Sequence, residues 1–226
     1  MEEEKKESEG FPVSVDGWFN SGLHLFRTRS RTLISGMAVI ISYSLFLLLI
    51  GHIPGGETIG IIIQLTFGLV LTAGWLNFCL RLVRGEDDVT ARDIFRPFAD
   101  FQSVWLLSMS LSLIIALGTF LFVIPGIYAI LRFGMSIFIV VDKKTALADS
   151  LRFSAKITGG HEGKLLVYYG ILLGLYGLAV FPYLINMASL GAVTSSFFNF
   201  VITPVLGVTY ASAYDSLLYL YEEEKS

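Results

Sequence analysis

Arg132 stands in the stretch FVIPGIYAILRFGMSIFIVVDKK, residues 122–144, with no charged residue within nine positions on either side. An arginine at the centre of a membrane span costs about 2.5–3.5 kcal/mol, so a charge in such a run marks an ion pair, a ligand contact or a tie between helices. Six residues upstream, Pro125-Gly126 joins a residue that lacks an amide donor to one that permits close backbone approach. The pair predicts a tight reversal between two helices, with proline disfavouring helix at Ile124. At 1.5 Å rise per residue, Arg132 then lies roughly 9 Å from that turn, facing inward. Glu57, in HIPGGE, is the expected carboxylate partner, with the carbonyls of the IPG and HIPGG turns as alternative acceptors. Asp215, in YASAYDSLLYLY, is expected at the opposite end, paired with an interfacial basic residue or meeting water.

The remaining chemistry-bearing residues are sparse. His24, His52 and His161 are scattered, and none has the i,i+4 partner of a helical metal site. Cys79 is the single cysteine, which excludes an intrachain disulfide. The sequence contains neither GxSxG nor HExxH, and no phosphate-cradling glycine loop. These features lead us to expect a non-enzymatic protein with no cofactor and no metal.

The elements that must position Arg132 are membrane spans. The chain of 226 residues is 54% hydrophobic and 15% charged, with mean hydropathy +0.69. Soluble domains carry about 25% charged residues, so an ordinary soluble domain is excluded. Apolar runs exceed the ~18 residues that mark a span. Six are expected, near residues 33–50, 58–83, 103–124, 126–141, 165–187 and 190–219. All 16 lysines and arginines except Arg132 fall in the two ends, in the loops after the second and fourth spans or, for Arg81, in the last turn before the first of those loops. That asymmetry places those segments, and both termini, in the cytoplasm. The net charge of −3 comes largely from the acidic ends and gives no case for nucleic-acid binding. Residues 1–10 read as a disordered acidic tail without a cleavable signal, 11–221 as one six-helix transmembrane domain, and 222–226 as a second acidic tail.

Three basic-side segments share a character: DGWFNSGLHLFRTRSR, with Asp16 as its N-cap, ARDIFRPFADF, and TALADSLRFSAKITGG. In the third, Asp149, Arg152 and Lys156 fall on one helical stripe, which predicts a helix lying in the interface with Arg152 and Lys156 toward lipid headgroups. The expected fold is thus all-α: six transmembrane helices as three hairpins, each preceded by an amphipathic cytoplasmic segment. Gly170 and Gly174, with Ser108, Ser112 and Ala116, offer small-residue packing surfaces, while Pro182 and Pro204 interrupt the last two spans.

The runs RLVRGEDDVTARDIFRPF, FVIPGIYAILRFGMSIFIVVDK and SLRFSAKITGG resemble a broad group of bacterial six-helix membrane proteins of unknown function. That group includes the membrane domain fused to some glycerophosphodiester phosphodiesterases. The resemblance rests on Ile124, Pro125, Gly126, Ile127, Arg132 and Asp142, then Ser150, Leu151, Ser154, Ile157, Thr158 and Gly160. Ser150 stands where alanine is usual, and Ala155 where an aromatic is frequent. The resemblance implies a fold, and a bacterial-type cytoplasmic (inner) membrane. It implies no phosphodiesterase activity, because that catalytic barrel typically needs ~250 residues.

The expected function is that of a scaffold or a partner- and lipid-binding component. Its partners would be membrane lipids and another membrane protein or a second copy of the chain. The alternative is a transporter or channel with Arg132 in its pathway. The orientation predicts that a C-terminal alkaline phosphatase fusion, active only outside the cytoplasm, stays silent; activity there would refute it.

Overall fold

The computed structural model describes residues 14–185, 187, 194, 198 and 202–225. Of these, 86% are helical and none lies in a strand, which makes the described chain all-α. Helix α1 spans Val15–Thr28 and α2 spans Ser30–Gly51. The α3 helix (Gly56–Ile63) runs through a π-turn, Gln64–Gly68, into α4, Leu69–Val83. A 3-10 helix, Ala91–Asp100, leads into α5, Phe101–Leu121. Then come α6 (Val123–Phe133), α7 (Ser136–Lys143), α8 (Leu147–Ile157), α9 (Glu162–Leu184) and α10 (Thr203–Glu223).

Five stretches are long and apolar enough to cross a membrane: Ser30–Gly51, Gly56–Val83, Ala91–Leu121, Val123–Lys143 and Glu162–Pro182. Their outward faces carry exposed Leu49, Phe120, Ile124 and Leu173, a surface that suits lipid rather than water. Much of the expected sixth span, 190–202, and the expected tail 1–10 lie outside the described residues, apart from Thr194, Phe198 and Ile202. At the other end α10 continues through Glu222 and Glu223, so the acidic end begins as helix.

Three helices form the centre. Trp75 and Cys79 of α4 lie against Gly207 of α10, where an added Cβ would come within 2.5 Å of the indole nitrogen. Phe138 of α7 stacks on Tyr214 of α10 with centroids 4.9 Å apart, and α4 also touches α7. Helix α9 docks through Tyr168, whose ring meets Trp18 of α1 edge-on and whose hydroxyl is 3.0 Å from Thr209.

Each of the three amphipathic segments packs on a central helix: the 3-10 helix on α4, α8 on α7, and α1 on α10. Gly74 of α4 admits the 3-10 helix so closely that a Cβ would sit 1.8 Å from the Ile94 carbonyl oxygen. Gly22 of α1 similarly faces Thr209 of α10, and Trp18 donates to Ser216 at 2.8 Å. The N-cap of α1 is Ser14, accepting from the Gly17 amide, not Asp16, which falls in the first turn. In α8 the buried face is Ser150, Ser154 and Ile157; Asp149, Arg152 and Lys156 are exposed.

The helix break is displaced from the expected Pro125-Gly126. Helix α5 stops at Leu121, Phe122 is extended (φ −158°, ψ 136°), and α6 restarts at Val123. Pro125 lies in the first turn of α6, where a missing amide donor is harmless. Gly126 supplies the close approach, since a Cβ there would come within 2.8 Å of the Thr119 amide nitrogen. Pro204 lies in the first turn of α10, directly after the helical residue Ile202, and Pro182 lies inside α9. Gly170 and Gly174 face open space, so they are not packing surfaces within the described chain.

Gly74→Ala is expected to destabilise by about 1–3 kcal/mol through overpacking against backbone. Gly174→Ala should be neutral or slightly stabilising, because alanine is the better helix former. Thermal unfolding in detergent checks both; equal effects would refute the packing argument.

Candidate polar site at the charged end of the bundle

Arg84 at the end of α4, Asp142 near the end of α7 and Asp215, about two turns before the end of α10, come together. The Arg84 guanidinium spans the other two: Nη2 donates to Asp142 Oδ2 at 2.9 Å and Nε to Asp215 Oδ1 at 2.9 Å. Tyr214 donates to Asp142 at 3.0 Å. Burial opposes the charge on Arg84, but hydrogen bonds and charges from the two carboxylates outweigh it and raise the pKa further. One turn inward, Arg81 is 7% exposed and binds Glu86, Asp88 at 3.1 Å and Asp93 at 2.8 Å. Asp93 also holds Arg96 at 2.7 Å and accepts from the Thr90 amide, capping the 3-10 helix. Lys143–Glu222 at 2.9 Å and Lys144–Asp100 at 3.3 Å complete the ring.

Beneath this network lies a cavity of about 410 Å³, lined by Asn77, Arg81, Arg84, Arg96 and Asp142, with Val104 and Val140 on its wall. The arrangement can hold a polar molecule, but its cations are largely neutralised by carboxylates of the same cluster. Among the described residues no group of three His, Cys, Asp or Glu side chains is placed to hold a metal ion.

Arg132 has a separate and local role. The α6 helix ends one residue later, so the Arg132 carbonyl loses its helical partner. Ser154 donates to that carbonyl at 2.8 Å, and Thr158 reaches it at 3.4 Å. In return, Arg132 Nη1 donates to the Ala155 carbonyl at 3.1 Å and to Glu162 at 2.9 Å. A cation thus sits at the C-terminal end of α8 and an anion in the first turn of α9, both favourable to the helix dipoles. Tyr128 covers the guanidinium, 5.8 Å from its ring centroid.

The partner of Arg132 is therefore Glu162 rather than Glu57. Helix α8 runs back along α7 as far as α6, which brings residues 154–162 to the arginine. Glu57 lies in the first turn of α3, beside Gly51, Gly56 and Gly60. Asp215 is brought to Arg84, while Arg152 and Lys156 remain exposed on α8. Pro125 and Gly126 lie at the start of α6, away from both ion networks. Sequence reasoning treated Arg81 and Arg84 only as orientation signals, and missed Glu162. One signal was available: arginines at i and i+3 closing one apolar run, and aspartates near the ends of two others.

Compared with protein-family models, curated proteins and solved structures, the chain matches none of them.

Arg84→Gln should leave Asp142 and Asp215 together without their cation and cost about 1–3 kcal/mol. Adding Asp142→Asn and Asp215→Asn should recover part of that loss. A double-mutant cycle on thermal unfolding checks it; strictly additive losses would refute the tie.

Proposed function

We propose that this chain is a six-span integral membrane protein, its spans paired as three hairpins with α10 completing the sixth. It works without catalysis as a scaffold or a partner- and lipid-binding component of a bacterial-type cytoplasmic membrane. Both termini are cytoplasmic, and the architecture is the one implied by the Pro125, Gly126, Arg132 and Asp142 pattern. The observation that carries this reading is the closure of Arg132. An arginine that serves a transport pathway needs access to water or substrate. Here its Nη1 donates to Ala155 and Glu162, and its carbonyl accepts from Ser154, with the side chain 25% exposed. It does not line the polar cavity beneath Arg84. The packing of Phe78, Phe138, Tyr168 and Tyr214, each at most 1% exposed, also supports a dry core.

One observation favours the rival class, a transporter or channel for a small or lipidic molecule. The cavity of about 410 Å³ is polar and lies among four elements that could move apart. Cys79 separates the two readings. It is fully buried in the seam between α4 and α10 and is the single cysteine of the chain. In a rigid scaffold, a small maleimide should label it no faster than global unfolding allows. In a protein that opens by alternating access, labelling in liposomes should outrun unfolding, and that result would displace the scaffold reading.

A further inference from the structure

We infer that the chain holds one anionic phospholipid in the groove between α2, the α3–α4 helix and the 3-10 helix. The inference rests on the membrane-embedded reading above. The groove has a volume of about 690 Å³ and is lined by Ala38, Ser42, Tyr43, Phe67, Phe95 and Phe98 among others. Its few polar atoms are occupied by one another. The π-turn folds Gln64 back over Gly68, and Tyr43 donates to Gln64 Oε1 at 3.1 Å. Ser42 donates to the Ala38 carbonyl at 2.7 Å. The turn of π geometry leaves the Leu65 carbonyl to accept from Trp105 at 2.9 Å, on the side of α5. What remains is a carbon-lined trough that suits an acyl chain.

Charge at one end of the trough selects the headgroup. In a 3-10 helix, residues three apart eclipse, so Arg92 continues the row of Phe95 and Phe98. On α2, Arg31 is followed at i+7 and i+11 by Ala38 and Ser42, which line the groove. Along the chain Arg31 lies between Arg29 and the groove residue Ala38, and Arg92 between Asp87 and the groove residue Phe95, which puts both toward the end of the groove marked by the Arg29–Asp87 ion pair. Both are exposed, and among the described residues neither has an ion-pair partner. Arg29, Arg81, Arg84 and Arg96 nearby are all paired. Two free cations at the mouth of an apolar trough complement a phosphate carrying acyl chains. Free phosphate would leave the trough unused.

Native mass spectrometry of the full chain, titrated with dioleoyl phosphatidylglycerol or dioleoyl phosphatidylcholine, tests this. One phosphatidylglycerol should be retained in preference to phosphatidylcholine. Arg31→Gln with Arg92→Gln should weaken that retention by about 25-fold, at about fivefold per cation. Arg152→Gln with Lys156→Gln, also exposed and unpaired, should leave it unchanged. Ser42→Phe, filling the trough, should reduce retention of both lipids, and thermal unfolding shows whether each variant stays folded. Equal retention of the two lipids by the wild type, or equal loss in the α8 variant, would overturn the inference. So would competition by inorganic phosphate, or a protein-sized mass in place of the lipid. The phosphatase-fusion and Cys79 experiments read sidedness and rigidity, so failure of the scaffold reading is seen separately.

Discussion

The Arg84 fork ties the ends of α4 and α7 to the body of α10, and the rest of the bundle is arranged around those helices. With Arg84 extended across Asp142 and Asp215, α4, α7 and α10 are held in one relative height. The gain in stability from such a partly buried cluster is modest, because desolvation offsets much of the attraction. Its effect is on register. Helices bounded by lipid slide past one another with little hydrophobic penalty, since lipid tails are as apolar as leucine. A guanidinium that can satisfy two carboxylates at one height opposes that sliding. The stack of Phe138 on Tyr214 then follows, because the same register brings those rings face to face and lets the tyrosine hydroxyl reach Asp142.

A cyclic order of packing surrounds this centre. The 3-10 helix leans on α4, α8 on α7, and α1, the first described helix, on α10, the last. Small residues seat these segments in different ways: Gly74 of α4 under Ile94, Gly22 of α1 against Thr209, and Ser154 of α8 against the Arg132 carbonyl of α6. The shared arrangement has a physical origin. A segment that turns back from the end of a span must satisfy its backbone groups within the protein, because hydrocarbon offers no partners. Packing on a central helix does so and buries an apolar face. The reciprocal capping of α6 and α8 is the clearest case, each helix end supplying what the other lacks.

Much of the bundle was legible in the sequence because the length of an apolar run is a local property. The ends of the first five apolar stretches fall within a few residues of where hydropathy alone puts them, except that the 3-10 helix extends the third back to Ala91. The amphipathic segments were legible as segments, but not their destination, since hydrophobic periodicity tells which face is apolar and not what covers it. The break near Pro125 was displaced because proline tolerates the first helical turn, so it can follow a break as well as make one. Arg132 was given the wrong partner for a similar reason. Its partner was sought by assumed depth, using the Pro125-Gly126 turn and the Glu57 loop, whereas α8 carries Glu162 back to it.

Exposed and paired cations on the charged face therefore have different meanings. Arg81, Arg84, Arg96, Lys143 and Lys144 are used up by carboxylates and work within the fold. Arg27, Arg31, Arg92, Arg152 and Lys156 are exposed and have no such partner among the described residues. Two of them, Arg31 and Arg92, continue the rows that line an apolar trough. A basic residue that only fixes orientation can sit anywhere on the cytoplasmic face, because the positive-inside effect depends on the side rather than the position. Alignment of Arg31 and Arg92 with the rows that line one groove is a positional constraint that orientation does not require.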